Sequence, residues 1–165
     1  MGRPDPFIPR GALRMGVLTC LSVASSRLEE TDVLLSHGLL TQAAVLFSFA
    51  LEEFGKAVLL RKAYESGADL ASIEGFYDHR TKIEAAATRI DPKHLRIAQG
   101  AFDADAFDSG GFDTGRKIDL SARLSGLYVD WKDDWIYGVH VDAKVLEQSS
   151  KALQLAVSRA SAAWT

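Results

Sequence analysis

Residues 39–60 read LLTQAAVLFSFALEEFGKAVLL, and this stretch decides the predicted fold. Residues 43–60 are apolar except at five positions, which are Ser48, Glu52, Glu53, Gly55 and Lys56. A helix that is apolar on nearly all sides is buried by the rest of its protein. The stretch therefore predicts a buried helix over residues 41–66 that ends before Gly67. This helix carries a narrow polar stripe into the interior or onto the wall of a cleft.

The same stretch is long enough to cross a membrane, but its charged residues argue against that. A central Asp, Lys or Arg costs about 2.5–3.5 kcal/mol on insertion into a bilayer, and the stretch contains three charges. The first residues of the chain lack the apolar core of a secretory signal. Cys20 is the only cysteine, so no intramolecular disulfide can form, which suits a reducing compartment. We therefore expect a cytoplasmic protein with no membrane association.

The length of the chain predicts a single domain, and its net charge predicts no overall positive electrostatic field that would attract nucleic acid. The chain has 165 residues, the usual size of a single domain. Its 19 basic and 22 acidic residues give a formal net charge of -3, which leaves only a local basic pocket open. Three of the four prolines fall within residues 1–10. We expect an irregular arm over residues 1–10 and a helical domain over residues 11–165.

The spacing of apolar residues predicts the remaining helices. Steps of three or four indicate helices over residues 12–36, 76–90, 118–125 and 142–163. Residues 69–74 predict a short turn, and residues 126–131 predict an extended segment with residues 139–141 as its pairing partner. The predicted fold class is all-α, a single-domain bundle of four to five helices. Residues 100–116 are rich in Gly and Asp and predict an exposed loop, with calcium binding as the alternative, although EF-hand spacing is absent.

Glu52, Glu53 and Lys56 are the first candidate site residues. Lys56 lies four residues after Glu52 and three after Glu53, so it can reach either carboxylate on a helix surface. Burying charge costs several kcal/mol per ion, which favours a functional role over a decorative one. The alternative is a salt-bridged stripe that holds the helix in register. Glycine within a helix lowers the stability of that helix by about 1 kcal/mol relative to alanine. A close approach of another backbone or a ligand would explain why a glycine stands at position 55.

Two further segments carry candidate residues. His79 and Lys82 are three apart and share a helical face, where a histidine can move protons and a lysine can hold an anion. A solvated basic face is the alternative interpretation. Tyr128 and Asp130 are two apart and point the same way in an extended segment. Asp130 is then a candidate partner for a basic residue such as Lys82, and an ordinary buried tyrosine is the alternative for Tyr128.

Three motifs in order resemble the AbiV family of abortive-infection proteins. Residues 51–57, LEEFGKA, resemble the family's Glu-Glu-x-Gly-Lys-Ala signature. Residues 79–82, HRTK, resemble its His-x-x-Lys, and residues 126–130, GLYVD, resemble its Leu-Tyr-Val-Asp segment, with Arg123 as the preceding basic residue. The resemblance runs from about residue 21 to residue 135. It implies a HEPN-like helical fold that is often dimeric, and Arg80 and Arg123 are expected to bind the ligand.

The resemblance also implies a function in defence against phage. The leading hypothesis is an effector that acts on RNA or the translation apparatus, since HEPN relatives are frequently metal-independent ribonucleases. His79 would then be the acid or base, Lys56 and Lys82 would hold phosphate, and Glu52 or Glu53 would orient them. The alternative is a non-catalytic protein whose cleft recognises a phage or host protein. A homodimer without a cofactor is expected in either case.

Other chemistries fit the sequence less well. Arg89 and His94 have the spacing of the HEPN nuclease motif, but about 0.8 such matches occur by chance in a chain of this composition, and Asp-Pro at residues 91–92 breaks the helix there. No Glu-x-x-His occurs, which argues against a di-iron bundle. A single divalent metal held by Glu52, Glu53, His79 and Asp130 is the competing alternative. Cys20 lies mid-helix, where cysteine behaves as a small hydrophobe.

Overall fold

The computed structural model describes residues 4–90, 130–131, 135–136 and 143–164. Within them the chain forms β1 (Phe7–Pro9), α1 (Arg10–Ser36), α2 (Leu40–Glu65), β2 (Leu70–Ser72), α3 (His79–Ala87), β3 (Asp130–Trp131), β4 (Trp135–Ile136) and α4 (Ala143–Ala162). The predicted all-α class is confirmed, because four helices build the core and the strands have two or three residues each. The predicted 118–125 helix and 100–116 loop lie outside the described residues.

A hairpin of α1 and α2 is the framework of the protein. Gly38 ends α1 with a φ of 72°, a left-handed conformation that glycine adopts without steric cost. The amide of Gly38 donates to the carbonyl of Leu35, and the amide of Leu39 donates to that of Leu34. This pair of bonds is a Schellman motif, which satisfies carbonyls left over at the helix end. The short connection turns the chain back, so α2 packs along α1.

The core lies between these two helices and is closed by α4 and α3. Its largest fully buried side chains include Leu13, Leu28, Phe47, Phe54 and Leu146. Apolar burial on this scale supplies the main free energy of folding, at about 25 cal/mol per Å² removed from water. The polar side of the α1–α4 contact is also paired: Ser150 donates to Asp32 at 2.9 Å. α4 is thereby held against α1 through its buried face.

Strands β1 and β2 differ from what the sequence predicts. Residues 7–9, within the arm expected to be irregular, pair antiparallel with residues 70–72, expected to form a turn, and Ile8 lies opposite Ala71. Strands of three residues are too short to show an alternating pattern, and the two partners are about sixty positions apart in sequence. The pairing brings the start of α1 beside the connection between α2 and α3.

The predicted strand pairing also differs from the one observed. Asp130 lies opposite Ile136 and Trp131 opposite Trp135, so β3 pairs with residues 135–136, whereas residues 139–141 were predicted. Residues 135–136 are closer in sequence to β3 than residues 139–141 are, and loop closure favours short separations. The predicted extended residues 126–129 and their partner residues 139–141 lie outside the described residues.

Candidate functional site

The centre of the candidate site is the carboxylate of Glu52, which α2 carries into the interior. Glu52 is 4% exposed. Its Oε2 atom lies 2.8 Å from Nδ1 of His79 and 3.0 Å from Nζ of Lys82, both on α3. Lys82 is as deeply buried as Glu52, whereas the side chain of His79 is 44% exposed. One buried carboxylate therefore joins a buried ammonium to an imidazole that reaches the surface.

Gly55 allows α3 to lie directly against α2 beside this cluster. A Cβ atom at Gly55 would lie 1.8 Å from the backbone oxygen of Lys82 and 2.5 Å from its carbonyl carbon. No side chain larger than hydrogen fits there without moving α3. The sequence predicted a close approach at this glycine, and the approaching group is the backbone of the residue that pairs with Glu52.

The start of α3 is set by Asp78, a residue that the sequence interpretation did not single out. Its carboxylate accepts 2.7 Å hydrogen bonds from the backbone amide and the hydroxyl of Thr81. This is N-capping, which satisfies an amide that would otherwise lack a partner. Because the cap fixes where α3 begins, it also fixes which face His79 and Lys82 share. An Asp followed three residues later by Thr was the available signal.

Lys56 and Glu53 form a separate pair at the edge of the cluster. Nζ of Lys56 lies 2.5 Å from Oε1 of Glu53, and both side chains are about a quarter exposed, at 24% and 23%. The sequence left the choice between Glu52 and Glu53 open, and the structure selects Glu53. Cys20 lies near this pair, and burial followed by the charge of Glu53 raises its pKa to about 11. The thiol is therefore protonated at neutral pH and unsuited to nucleophilic attack.

Burial lowers the pKa of His79 below its usual value of about 6.5, and the positive charge of Lys82 acts in the same direction. The carboxylate of Asp78 opposes this shift. Burial likewise lowers the pKa of Lys82, with a further contribution from Lys56. At neutral pH the imidazole is therefore mostly neutral, with Nδ1–H donating to Glu52 and the lone pair on Nε2.

The lowered pKa of His79 predicts a loss of stability in mild acid. Below pH 6.5 the unfolded chain binds a proton at His79 that the folded chain resists, so the free energy of unfolding falls as pH drops from about 6.5. In the His79→Gln variant, which keeps a donor toward Glu52, the free energy of unfolding should decline less steeply between about pH 6.5 and 5. Urea unfolding at several pH values measures the slope, and an NMR titration measures the His79 midpoint. A midpoint at or above about 6.5 would contradict the lowering of the His79 pKa by burial and by the charge of Lys82.

Of the remaining predicted site residues, only Arg80 has a described side chain. Arg80 pairs with Glu84 at 2.7 Å on the exposed side of α3. Tyr128 and Arg123 lie outside the described residues, and of Asp130 only the backbone, in β3, is described. Among the described side chains, no group of three or more His, Cys, Asp and Glu lies close enough to hold a metal ion. Glu52 faces α3 while Glu53 pairs with Lys56, so the two carboxylates have different partners.

These features define a class of small helical-bundle proteins with an acidic–basic cluster buried between two neighbouring helices. The sequence profile of the HEPN-type AbiV family matches residues 12–157, which is most of the chain. The chain therefore belongs to the AbiV family, and the resemblance drawn from its three motifs is confirmed. AbiV proteins are abortive-infection proteins, so this protein belongs to anti-phage defence.

The other comparisons add no relative. No curated protein matches the chain, and no solved structure matches it. None of the described helices combines the length and the apolar character that crossing a bilayer requires. A homodimer and a cytoplasmic location stay predictions.

Proposed function

We propose that this protein acts in abortive infection as a metal-independent ribonuclease with His79 as its proton-transfer residue. The observation that supports this most directly is the 2.8 Å contact between Nδ1 of His79 and the buried carboxylate of Glu52. A carboxylate behind an imidazole fixes its tautomer and its orientation, as in other catalytic histidines. The exposed part of the ring is then a base held at a defined place on the surface.

The chemistry that suits this arrangement is cleavage through the ribose 2′-hydroxyl. Nε2 of His79 accepts the proton of the 2′-hydroxyl, and the 2′-oxygen forms a bond to the adjacent phosphorus. The bond from phosphorus to the 5′-oxygen breaks, that oxygen takes a proton from water, and the proton on Nε2 of His79 neutralises the hydroxide that remains. The products are a 2′,3′-cyclic phosphate and a 5′-hydroxyl. A base whose pKa lies near or below neutrality is unprotonated at working pH, which this step requires.

The lysines have different roles in this proposal. Lys56 is partly exposed and one helical turn beyond Glu52, so it is the residue assigned to the phosphate, with Glu53 positioning it. Lys82 was predicted to hold phosphate as well, but its burial against Glu52 makes it a positioning residue that balances the carboxylate. Arg80 is exposed on α3 and stays assigned to ligand binding. Tyr128, Asp130 and Arg123 stay predicted site residues.

The test is cleavage of purified total RNA and transfer RNA with and without EDTA. The wild-type protein should cleave in EDTA, and His79→Ala should reduce the rate by about 10²-fold or more, as expected for loss of an acid–base residue. His37→Ala is the matched control, since His37 is an exposed histidine at the end of α1. Thermal unfolding of both variants shows whether the loss reflects catalysis or folding.

Three results would overturn this proposal. The first is an inactive wild-type protein that still protects cells and recovers a stable phage or host protein, which supports the non-catalytic binding function. The second is cleavage that His79→Ala leaves unchanged. The third is that Lys56→Ala and Glu53→Ala lower only the melting temperature and leave phage protection intact, in which case the polar stripe is structural.

A further inference from the structure

A second cleft lies among α1, α2 and α4, away from Glu52. It has a volume of about 180 Å³, and its floor includes Val17 of α1, Phe54 and Val58 of α2 and Ala156 of α4. Arg61, at its edge, is nine residues after Glu52 on α2. At about 3.6 residues per turn this is two and a half turns, so the cleft and the Glu52 cluster lie on opposite faces of the helix.

The charged residues that line this cleft are all basic. Three arginines line it, Arg61 of α2, Arg89 after α3 and Arg159 of α4, and no acidic residue does. Arg61 is bonded to Glu65 at 2.7 Å. Within residues 4–90 and 143–164, neither Arg89 nor Arg159 forms an ion pair. With the charge of Arg61 offset by Glu65, the guanidinium groups of Arg89 and Arg159 create a local field that attracts anions.

Trp164 supplies an aromatic wall to this arginine cleft. Its ring meets Tyr64 edge-on at 5.2 Å, and the guanidinium of Arg61 lies 5.6 Å from the ring centre. The buried Nε1–H group forms no hydrogen bond to the protein. An apolar floor, an aromatic wall and a guanidinium rim therefore surround one small space.

We propose that this cleft binds a small organic anion, in which an apolar or aromatic group carries a phosphate or a carboxylate. The apolar group packs on Val17 and Phe54, and the anionic group meets Arg89 and Arg159, since guanidinium forms charge-assisted bonds with both kinds of anion. The volume of about 180 Å³ is below the range of about 300–1,000 Å³ typical of drug-sized ligands. The ligand is therefore about the size of one ring and its anionic group.

The test follows the indole N–H resonance of Trp164 by ¹⁵N NMR during a titration with phenyl phosphate. The chain has three tryptophans, and loss of one resonance in Trp164→Phe identifies the right one. We expect a saturable shift with a Kd of about 1 mM or tighter. Arg159→Ala and Arg89→Ala should each weaken binding about tenfold, as expected for one charged hydrogen-bond partner. Arg27→Ala, an exposed arginine paired with Glu30 on α1, should leave the Kd unchanged.

Further titrations separate the sources of the anion. Phenol and inorganic phosphate, each half of the probe, should bind about tenfold more weakly or worse, because each lacks one of the two contacts. Benzoate and hexanoate, which carry a carboxylate in place of the phosphate, then show whether the site prefers phosphate or carboxylate. The proposal is overturned if none of the three organic anions gives a saturable shift, or if the two arginine substitutions leave the Kd of phenyl phosphate unchanged.

Discussion

Gly55→Ala is expected to destabilise the protein by about 3 kcal/mol, the opposite sign from an ordinary glycine-to-alanine change in a helix. Alanine normally stabilises a helix interior by about 1 kcal/mol relative to glycine. Here the new Cβ would lie 1.8 Å from the carbonyl oxygen of Lys82. That atom belongs to the backbone and cannot rotate away, so α3 must shift as a unit. Forcing extra atoms into a packed contact costs about 1–3 kcal/mol or more.

Thermal unfolding measures this effect, and a second glycine supplies the control. A loss of about 3 kcal/mol in a chain of this size lowers the melting temperature by roughly 6–12 °C. Gly11 lies near the start of α1 with no atom within 4 Å of a Cβ built on it, so Gly11→Ala should leave the melting temperature equal or higher. If Gly55→Ala were also neutral or stabilising, the direct backbone contact between α2 and α3 would be wrong.

The same displacement predicts a change at the site. Moving α3 away from α2 separates Glu52 from His79 and Lys82, because all three are joined through this contact. RNA cleavage and phage protection, where the wild-type protein shows them, should therefore fall in Gly55→Ala below the temperature at which it unfolds. Gly11→Ala should keep both activities.

The sequence predicts the helical framework well because α2 is apolar on almost every side. Such a helix has one stable environment, the interior of a bundle, and charged residues placed in it must then find partners there. Gly55 was interpretable for a similar reason: a mid-helix glycine is costly unless something approaches closely. Both interpretations depend only on the energetic cost of a residue within its own helix. That cost can be judged without knowing which element packs against the helix.

The ion-pair partners of the charged residues on α2 are less predictable from the sequence. Glu52 and Glu53 are both within helical reach of Lys56, and spacing along α2 cannot choose between them. The choice depends on Lys82, which arrives from α3 and occupies Glu52. Nine residues of α3 are too few to reveal a buried face by periodicity, so Lys82 was equally compatible with a solvated surface. The arginine cleft was missed because its residues come from separate elements and no two of them form a motif.

The ion pair of Glu52 and Lys82 carries the second large prediction. Lys82→Met leaves the buried carboxylate without its ammonium partner, and Glu52→Gln leaves the buried ammonium without its carboxylate. Removing one partner of a buried pair typically costs about 3–5 kcal/mol, because an uncompensated charge remains in the interior. Each single variant should therefore melt roughly 6–20 °C lower than the wild-type protein. The exposed pair of Glu147 and Lys151 is the matched control, and Lys151→Met should leave the melting temperature unchanged.

The double variant Glu52→Gln, Lys82→Met separates the contribution of the ion pair from the contributions of its individual residues. With both charges removed, no buried charge is uncompensated, so the double variant should be more stable than the sum of the two single effects predicts by about 2 kcal/mol or more. Additive losses would show that the two side chains do not depend on each other, which would contradict the 3.0 Å contact between them.

The pKa of His79 distinguishes a positioning role of the Glu52–Lys82 pair from a purely structural role. Lys82→Met removes a positive charge that lowers the pKa of His79 and leaves Glu52 uncompensated beside the ring, so the His79 midpoint should rise. Glu52→Gln removes the negative charge and leaves Lys82, so the midpoint should fall. Two variants with a similar loss of stability thus shift one titration in opposite directions. An NMR titration of His79 in both variants measures this, and shifts of the same sign would show that the pair does not control the imidazole electrostatically.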